Sequence, residues 1–194
     1  MIYATHIILS FYGHWLPNDP RGSGSRYVGS DTLYHLGGKA TKTESRKSVA
    51  HVPHDICQRF KAKEGLKFPP RELTPEQIEA VGQAFAQTNV PIYACAIVPD
   101  HVHLLLGRST VKIDNLIRDL KEAAVKELAR RGLSPVSRIE GTLDPHAAAT
   151  IWSVGAWKVF IDDLNHVEST IRYIQRHRPV RLWDFVKPFC PEIY

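Results

Sequence analysis

Apolar and polar positions along this chain follow two periods, and the switches between them outline a fold. The stretch 2–11 (Ile2-Tyr3-Ala4-Thr5-His6-Ile7-Ile8-Leu9-Ser10-Phe11) is rich in β-branched and aromatic residues and reads as a buried strand. Trp15-Leu16-Pro17-Asn18-Asp19-Pro20-Arg21-Gly22 is crowded with turn formers. From there to about residue 70 the chain is polar, glycine-rich and basic without sustained periodicity, and reads as an insertion with a short helix near 55–63. Thr74-Pro75-Glu76-Gln77 combines an N-cap threonine, a proline at the first helical position and a glutamine three residues after the cap, so a helix is predicted over 74–88.

Residues 92–98 then read as a strand, Pro99-Asp100 as a tight turn and 101–107 as a second strand, which must pair antiparallel with the first. Ile113, Leu116, Ile117, Leu120, Ala124 and Leu128 recur at helical spacing up to Gly132. After a loop, a tryptophan-rich strand is expected over 151–161. Asp162-Asp163 cap a last helix over 164–177, which Pro179 terminates. The order β–(insertion)–α–β–β–α–β–α is the ferredoxin-like βαββαβ pattern: an α+β fold with an antiparallel sheet and one additional C-terminal helix. The expectation is a single domain with a basic insertion at about 17–73. This fold hosts many chemistries, so it does not choose among them.

Composition changes the picture in one respect. The chain of 194 residues carries a formal charge of +5, and the excess is local. Residues 1–73 hold 11 Lys/Arg against 6 Asp/Glu, whereas residues 74–194 hold 14 of each. A basic segment on a neutral body suggests an anionic partner such as nucleic acid, although a merely soluble surface explains the charge equally well when taken alone. No apolar stretch approaches the length of a membrane span, and the first residues lack the charged start of a signal peptide, so a cytoplasmic location without membrane attachment is expected. Cys57, Cys95 and Cys190 form no CxxC pair, which argues against a disulfide scaffold or a zinc finger.

Candidate chemistry concentrates in two places. Side chains alternate faces in a strand, so His101 and His103 point the same way and can share one divalent metal, with Leu105 beside them and Val102, Leu104 and Leu106 opposite. In the last helix Leu164, Val167, Ile171 and Ile174 form one stripe, and Tyr173 lies well away from it, with His177 one turn further on. A tyrosine hydroxyl can attack a phosphodiester and form a covalent link, given a metal or cations to stabilise the developing charge. Arg172, Arg176 and Arg178 surround Tyr173 and are candidates for holding phosphates, although a solvated helix face accounts for them too; Arg21 and Arg26 are candidates in the basic segment. His14, His35, His51, His54, His146 and His166 lack partners at ligand spacing and read as structural or exposed. Trp152, Trp157 and Trp183 can stack on unpaired bases, but the preferred reading of each is core packing.

Pro99-Asp100-His101-Val102-His103-Leu104-Leu105-Leu106 resembles the HUH signature (His, hydrophobic, His) of single-tyrosine transposases, which mobilise small bacterial insertion sequences, and of the REP-associated tyrosine transposases. The resemblance extends to the lead-in Ala94–Val98, to Ile151-Trp152 through Tyr173-Ile174-Gln175-Arg176-His177, and to Tyr12-Gly13-His14-Trp15-Leu16-Pro17. In all it covers residues 1–17 and 74–177, about two thirds of the chain. It implies that His101 and His103 bind Mg²⁺ or Mn²⁺ and that Tyr173 is the nucleophile. It also implies a third ligand four residues after the tyrosine, a position that is usually a glutamine or asparagine and here is His177. Imidazole is a competent ligand with a different metal preference. The implied activity is a DNA endonuclease and strand transferase acting on single-stranded or hairpin DNA through a phosphotyrosine intermediate, usually as a homodimer. The alternatives from other classes are a domesticated sequence-specific DNA-binding protein of the same fold and a phosphoesterase that acts through metal-activated water.

Overall fold

The structure, a computed structural model, describes residues 1–45, 49–134, 138–139, 142–143, 151–177 and 186–190. In chain order the elements are β1 (Ala4–Ser10), α1 (Asp31–Gly37), α2 (Ile56–Glu64), α3 (Pro75–Ala86), β2 (Ile92–Ile97), β3 (His101–Gly107), α4 (Ile113–Arg130), β4 (Arg138–Ile139), β5 (Thr142–Leu143), β6 (Trp157–Ile161) and α5 (Leu164–Gln175). They divide into two compact units, one formed by Met1–Ser10 with Glu72–Tyr194 and the other by Phe11–Arg71. No helix among the described residues is long and apolar enough to cross a membrane.

The first unit is built on a four-stranded sheet in the order β2-β3-β1-β6, with every neighbouring pair antiparallel. With α3 and α4 as the two crossovers this is the ferredoxin-like βαββαβ arrangement read from the sequence, and α5 is the additional helix. Local chemistry explains the helix ends. The side chain of Thr74 accepts from the Gln77 amide at 3.3 Å while Gln77 Oε1 accepts from the Thr74 amide at 2.9 Å, a complete capping box. Gly132 closes α4 with φ +67, where the amides of Gly132 and Leu133 donate to the carbonyls of Ala129 (3.0 Å) and Leu128 (2.8 Å). Asp163 caps α5 by accepting from the His166 amide at 2.7 Å.

Register gives each face of the sheet its role. Cross-strand partners share a face, so Ala96, His103, Ile8 and Trp157 form one row, and Ala94, Leu105, His6 and Val159 the next. On this face Ala4, Ala94, Ala96, Leu105 and Ile161 make a buried cluster with Val167 and Ile174 of α5, with Ile171 packed against it. The three alanines leave space for α5 to lie close to the strands, and close packing holds it there. Thr170 joins the buried stripe that the sequence pattern draws through apolar residues alone. The opposite face carries Ile7, Leu9, Val102, Leu104 and Leu106, all fully buried.

The strand expected over 151–161 begins only at Trp157. Gly155 adopts φ +75, which breaks the extended run. The residues before it are tied elsewhere: the Ser153 amide donates to the Ser10 carbonyl at 2.9 Å, and Lys121 Nζ donates to the carbonyls of Ser153 (2.8 Å) and Gly155 (2.6 Å). Trp152 is half-buried and donates its indole N–H to the Lys121 carbonyl at 3.2 Å. The short β4–β5 pair falls where the sequence pattern suggested only a loop. The Lys187 amide donates to the Ile92 carbonyl at 2.7 Å and Phe189 meets the Tyr93 ring edge-on, so this segment caps the outer edge of β2.

The second unit is more ordered than its aperiodic sequence suggested. The helix expected near 55–63 is present as α2, capped by Asp55, and α1 is a helix that the sequence pattern does not announce. The two helices pack on each other at Gly37, where an added Cβ would lie 2.6 Å from the Ala62 Cβ and 2.3 Å from the Asn18 amide nitrogen. Buried Asn18 donates to the carbonyls of Leu33 (2.7 Å) and Gly38 (3.3 Å). Side-chain-to-backbone bonds of this kind organise a loop without any hydrophobic period, so pattern reading misses them.

Candidate metal centre

The His101–Val102–His103 segment opens β3 directly after the Pro99-Asp100 turn, which the Val98 amide closes on the His101 carbonyl at 3.0 Å. Strand alternation turns both imidazoles to the face that α5 covers. His103 is 2% exposed, and His101 is half-buried at the rim. Nε2 of His101 and Nε2 of His103 stand 2.9 Å apart. His177 follows the last turn of α5, its ring 4.1 Å from that of His103 between centroids. One ring nitrogen from each of His101, His103 and His177 lies within 4.8 Å of the others, so the three can hold a metal ion.

The far side of each ring is engaged. His101 Nδ1 donates to the Asp100 carboxylate at 2.7 Å. His177 Nδ1 is 3.1 Å from the Tyr173 carbonyl, and because a carbonyl only accepts, Nδ1 carries a proton, which in the neutral ring leaves Nε2 bare. His103 Nδ1 is 3.1 Å from Nε2 of His6, on the neighbouring strand β1. Metal-ligating histidines characteristically use their second nitrogen in this way, which fixes tautomer and ring orientation. The 2.9 Å between Nε2 of His101 and Nε2 of His103 also fits two ligands of one ion: two ligands each about 2.1 Å from one octahedral metal and at right angles stand about 3 Å apart.

Tyr173 lies beside the three histidines. Its ring is edge-on to His177 (4.6 Å between centroids), His103 (5.6 Å) and His6 (6.1 Å), and its side chain is 44% exposed. Burial raises the phenol above its ordinary value, so it is protonated at neutral pH. Burial, followed by repulsion from His101, His177 and His6, lowers the His103 imidazole to about 2. Burial, with repulsion from His177 and His166, lowers His6 to about 4. Both rings are therefore neutral at physiological pH, the state in which imidazole ligates.

The structure thus brings together four of the residues that the sequence singled out: His101, His103, His177 and Tyr173. Arg172 is exposed beside Tyr173, within 3.6 Å of Glu168, and Arg176 is exposed at the end of α5. Arg178, His146 and Trp183 lie outside the described residues. In the second unit Arg26 is exposed, whereas the Arg21 guanidinium is engaged by both oxygens of buried Asp19 (2.8 and 2.7 Å) and lies over the Trp15 ring at 4.0 Å. That ion pair neutralises Arg21 and leaves it 11% exposed, a poor position for a phosphate contact. Sequence reasoning passed over His6. Its only signal is a polar residue inside the apolar strand β1, and strand pairing alone reveals that it adjoins His103.

No protein-family model matches the chain, and no curated protein matches it in sequence. Two of the solved structures that resemble it do so with a TM-score of 0.38 each. One is a REP-associated tyrosine transposase bound to a REP hairpin, 10% identical, the match covering 89% of this chain and 64% of that one. The other is a candidate transposase from Deinococcus radiodurans R1, 12% identical, with 90% of each chain covered.

Proposed function

We propose that the first unit is a metal-dependent DNA endonuclease and strand transferase of the single-tyrosine type. The observation that carries this reading is the placement of one partly exposed tyrosine against three converging imidazoles, all from a single chain. His101, His103 and His177 would hold the divalent ion, and when bound it would polarise the scissile phosphate and offset charge on the phosphate oxygens. Mg²⁺ seeks oxygen ligands, so of Mg²⁺ and Mn²⁺ the all-nitrogen donor set favours Mn²⁺.

Tyr173 acts as the nucleophile. Its hydroxyl loses a proton to the solvent that its exposed edge meets, a bond forms between its Oη and the phosphorus, and the bond from phosphorus to the 3′ oxygen breaks. The departing 3′ oxygen takes up a proton, and its later attack on the phosphotyrosine reverses the exchange without an external energy source. Arg172 and Arg176, exposed in α5 and at its C-cap near Tyr173, hold the neighbouring phosphates of a single-stranded or hairpin substrate. The basic Phe11–Arg71 unit adds sequence-independent affinity through exposed cations such as Arg26. The homodimer that the motif resemblance implies is checked by sedimentation of the DNA-free chain.

Incubation with labelled single-stranded hairpin DNA and Mn²⁺ tests the reading. A covalent protein–DNA adduct is expected from the wild type and is lost in Tyr173→Phe with DNA binding retained. An adduct that persists in Tyr173→Phe overturns the nucleophile. Metal-independent binding with no adduct in the wild type supports a non-cleaving DNA-binding protein instead.

A further inference from the structure

His6 reaches a candidate metal ligand from a different strand, β1. The sheet register sets His6 opposite Leu105, two residues along β3 from His103 and on the same face. Its Nε2 reaches Nδ1 of His103 at 3.1 Å, and the two rings have centroids 5.3 Å apart and planes 22° apart. The contact is on the side of the His103 ring away from the Nε2 pair, so His6 is placed behind that ligand rather than beside the ion.

The tautomers show what such a neighbour does. Nδ1 of His101 is committed to the Asp100 carboxylate and Nδ1 of His177 to a carbonyl, so in the neutral rings both Nε2 atoms are bare. Without metal, the 2.9 Å contact between Nε2 of His101 and Nε2 of His103 needs one proton, and it must come from His103. Nδ1 of His103 then accepts from Nε2–H of His6. To ligate a metal through Nε2, His103 must carry its proton on Nδ1 instead and donate it to a bare Nε2 of His6. Only a group able both to donate and to accept at that place serves both states, and imidazole is such a group. The exchange leaves the net charge unchanged.

We propose that His6 is a positioning residue that orients the His103 ring and presents its Nε2 to the metal by hydrogen bonding to the opposite nitrogen. This rests on the metal-site reading above. A histidine pair serving only to satisfy two buried rings would contribute to folding stability and leave metal affinity untouched. The two roles are separable by measurement.

Mn²⁺ is titrated into the full-length chain and free ion is read by electron paramagnetic resonance, alongside thermal melting of the metal-free protein. His6→Leu, which can neither donate nor accept, is expected to weaken Mn²⁺ binding by about 10–100-fold. His6→Gln, whose amide reaches about as far as Nε2 and offers both a donor and an acceptor, is expected to retain most of the affinity. His6→Asn is a methylene shorter and should resemble the leucine variant. Undiminished Mn²⁺ binding in folded His6→Leu overturns the proposal. If His6→Leu does not fold, equal affinities for the Gln and Asn variants overturn it. A wild-type chain that binds no Mn²⁺ overturns the metal site itself and this inference with it.

Discussion

The carbonyl oxygen of Tyr173 accepts a hydrogen bond from Nδ1 of His177 at 3.1 Å, one helical turn further along the chain. The candidate nucleophile in the last turn of α5 and the candidate third ligand just beyond its C-cap are thus tied directly to each other. The bond also fixes the imidazole tautomer that leaves Nε2 free. His177→Ala is expected to weaken Mn²⁺ binding at least about tenfold, the lower end of what removing even an outer partner of a metal ligand costs. The protein should stay folded, because the ring is at the rim of the site. His177→Gln supplies a hard amide oxygen and should shift preference from Mn²⁺ towards Mg²⁺. Parallel titrations with the two ions check both outcomes.

Small side chains beneath α5 set the distance between the helix and the strand. Ala96 is fully buried in the row that contains His103, against the cluster that includes Val167 and Ile174. Ala96→Leu adds volume that the packed layer cannot absorb and is expected to cost about 1–3 kcal/mol. It should also lift His177 and Tyr173 away from His101 and His103. Chemical denaturation reads the first effect, and loss of Mn²⁺ binding in a still-folded variant reads the second. A variant that loses stability with metal affinity intact would show that the site tolerates movement of the helix.

Protonation of the buried rings gives the metal-free protein a pH-dependent stability. His6 and His103 are held at about 4 and about 2, below the value near 6.5 expected in the unfolded chain. As pH falls below 6.5 the unfolded state takes up protons that the folded rings resist, so stability declines from there down through pH 4. Above pH 7 both states are neutral and these rings add no slope. Melting curves of the metal-free chain between pH 7.5 and 4 should show this decline. His6→Gln should flatten part of it, because one of the resisting groups is gone.

Exposed cations of the Phe11–Arg71 unit are expected to contribute counterion release on DNA binding. Arg26, Lys39 and Lys61 are exposed, whereas Arg21 is neutralised by Asp19. Replacing those three by glutamine should reduce the slope of log affinity against log salt for single-stranded DNA by about 0.7 for each phosphate that is no longer neutralised. An unchanged slope would assign the charge excess of this segment to something other than DNA.

The class of each main element was legible because it is set by neighbours in the chain. Runs of β-branched and apolar residues between turn formers marked β1, β2 and β3. The capping box at Thr74 and the Gly132 stop are interactions within a single turn, so they could be read directly. His101 and His103 were legible as a pair because alternation alone puts them on one face. Tyr173 and His177 were legible as a couple because helical spacing alone sets them one turn apart. How the pair and the couple meet is a tertiary matter. It depends on α5 seating over Ala4, Ala94 and Ala96, a packing result that no local period encodes. The place of His6 behind His103 was decided in the same way, by the pairing of β1 with β3 across nearly a hundred residues of chain. The ordering of the Phe11–Arg71 unit likewise comes from single hydrogen bonds such as those of Asn18, which leave no repeating mark in the sequence.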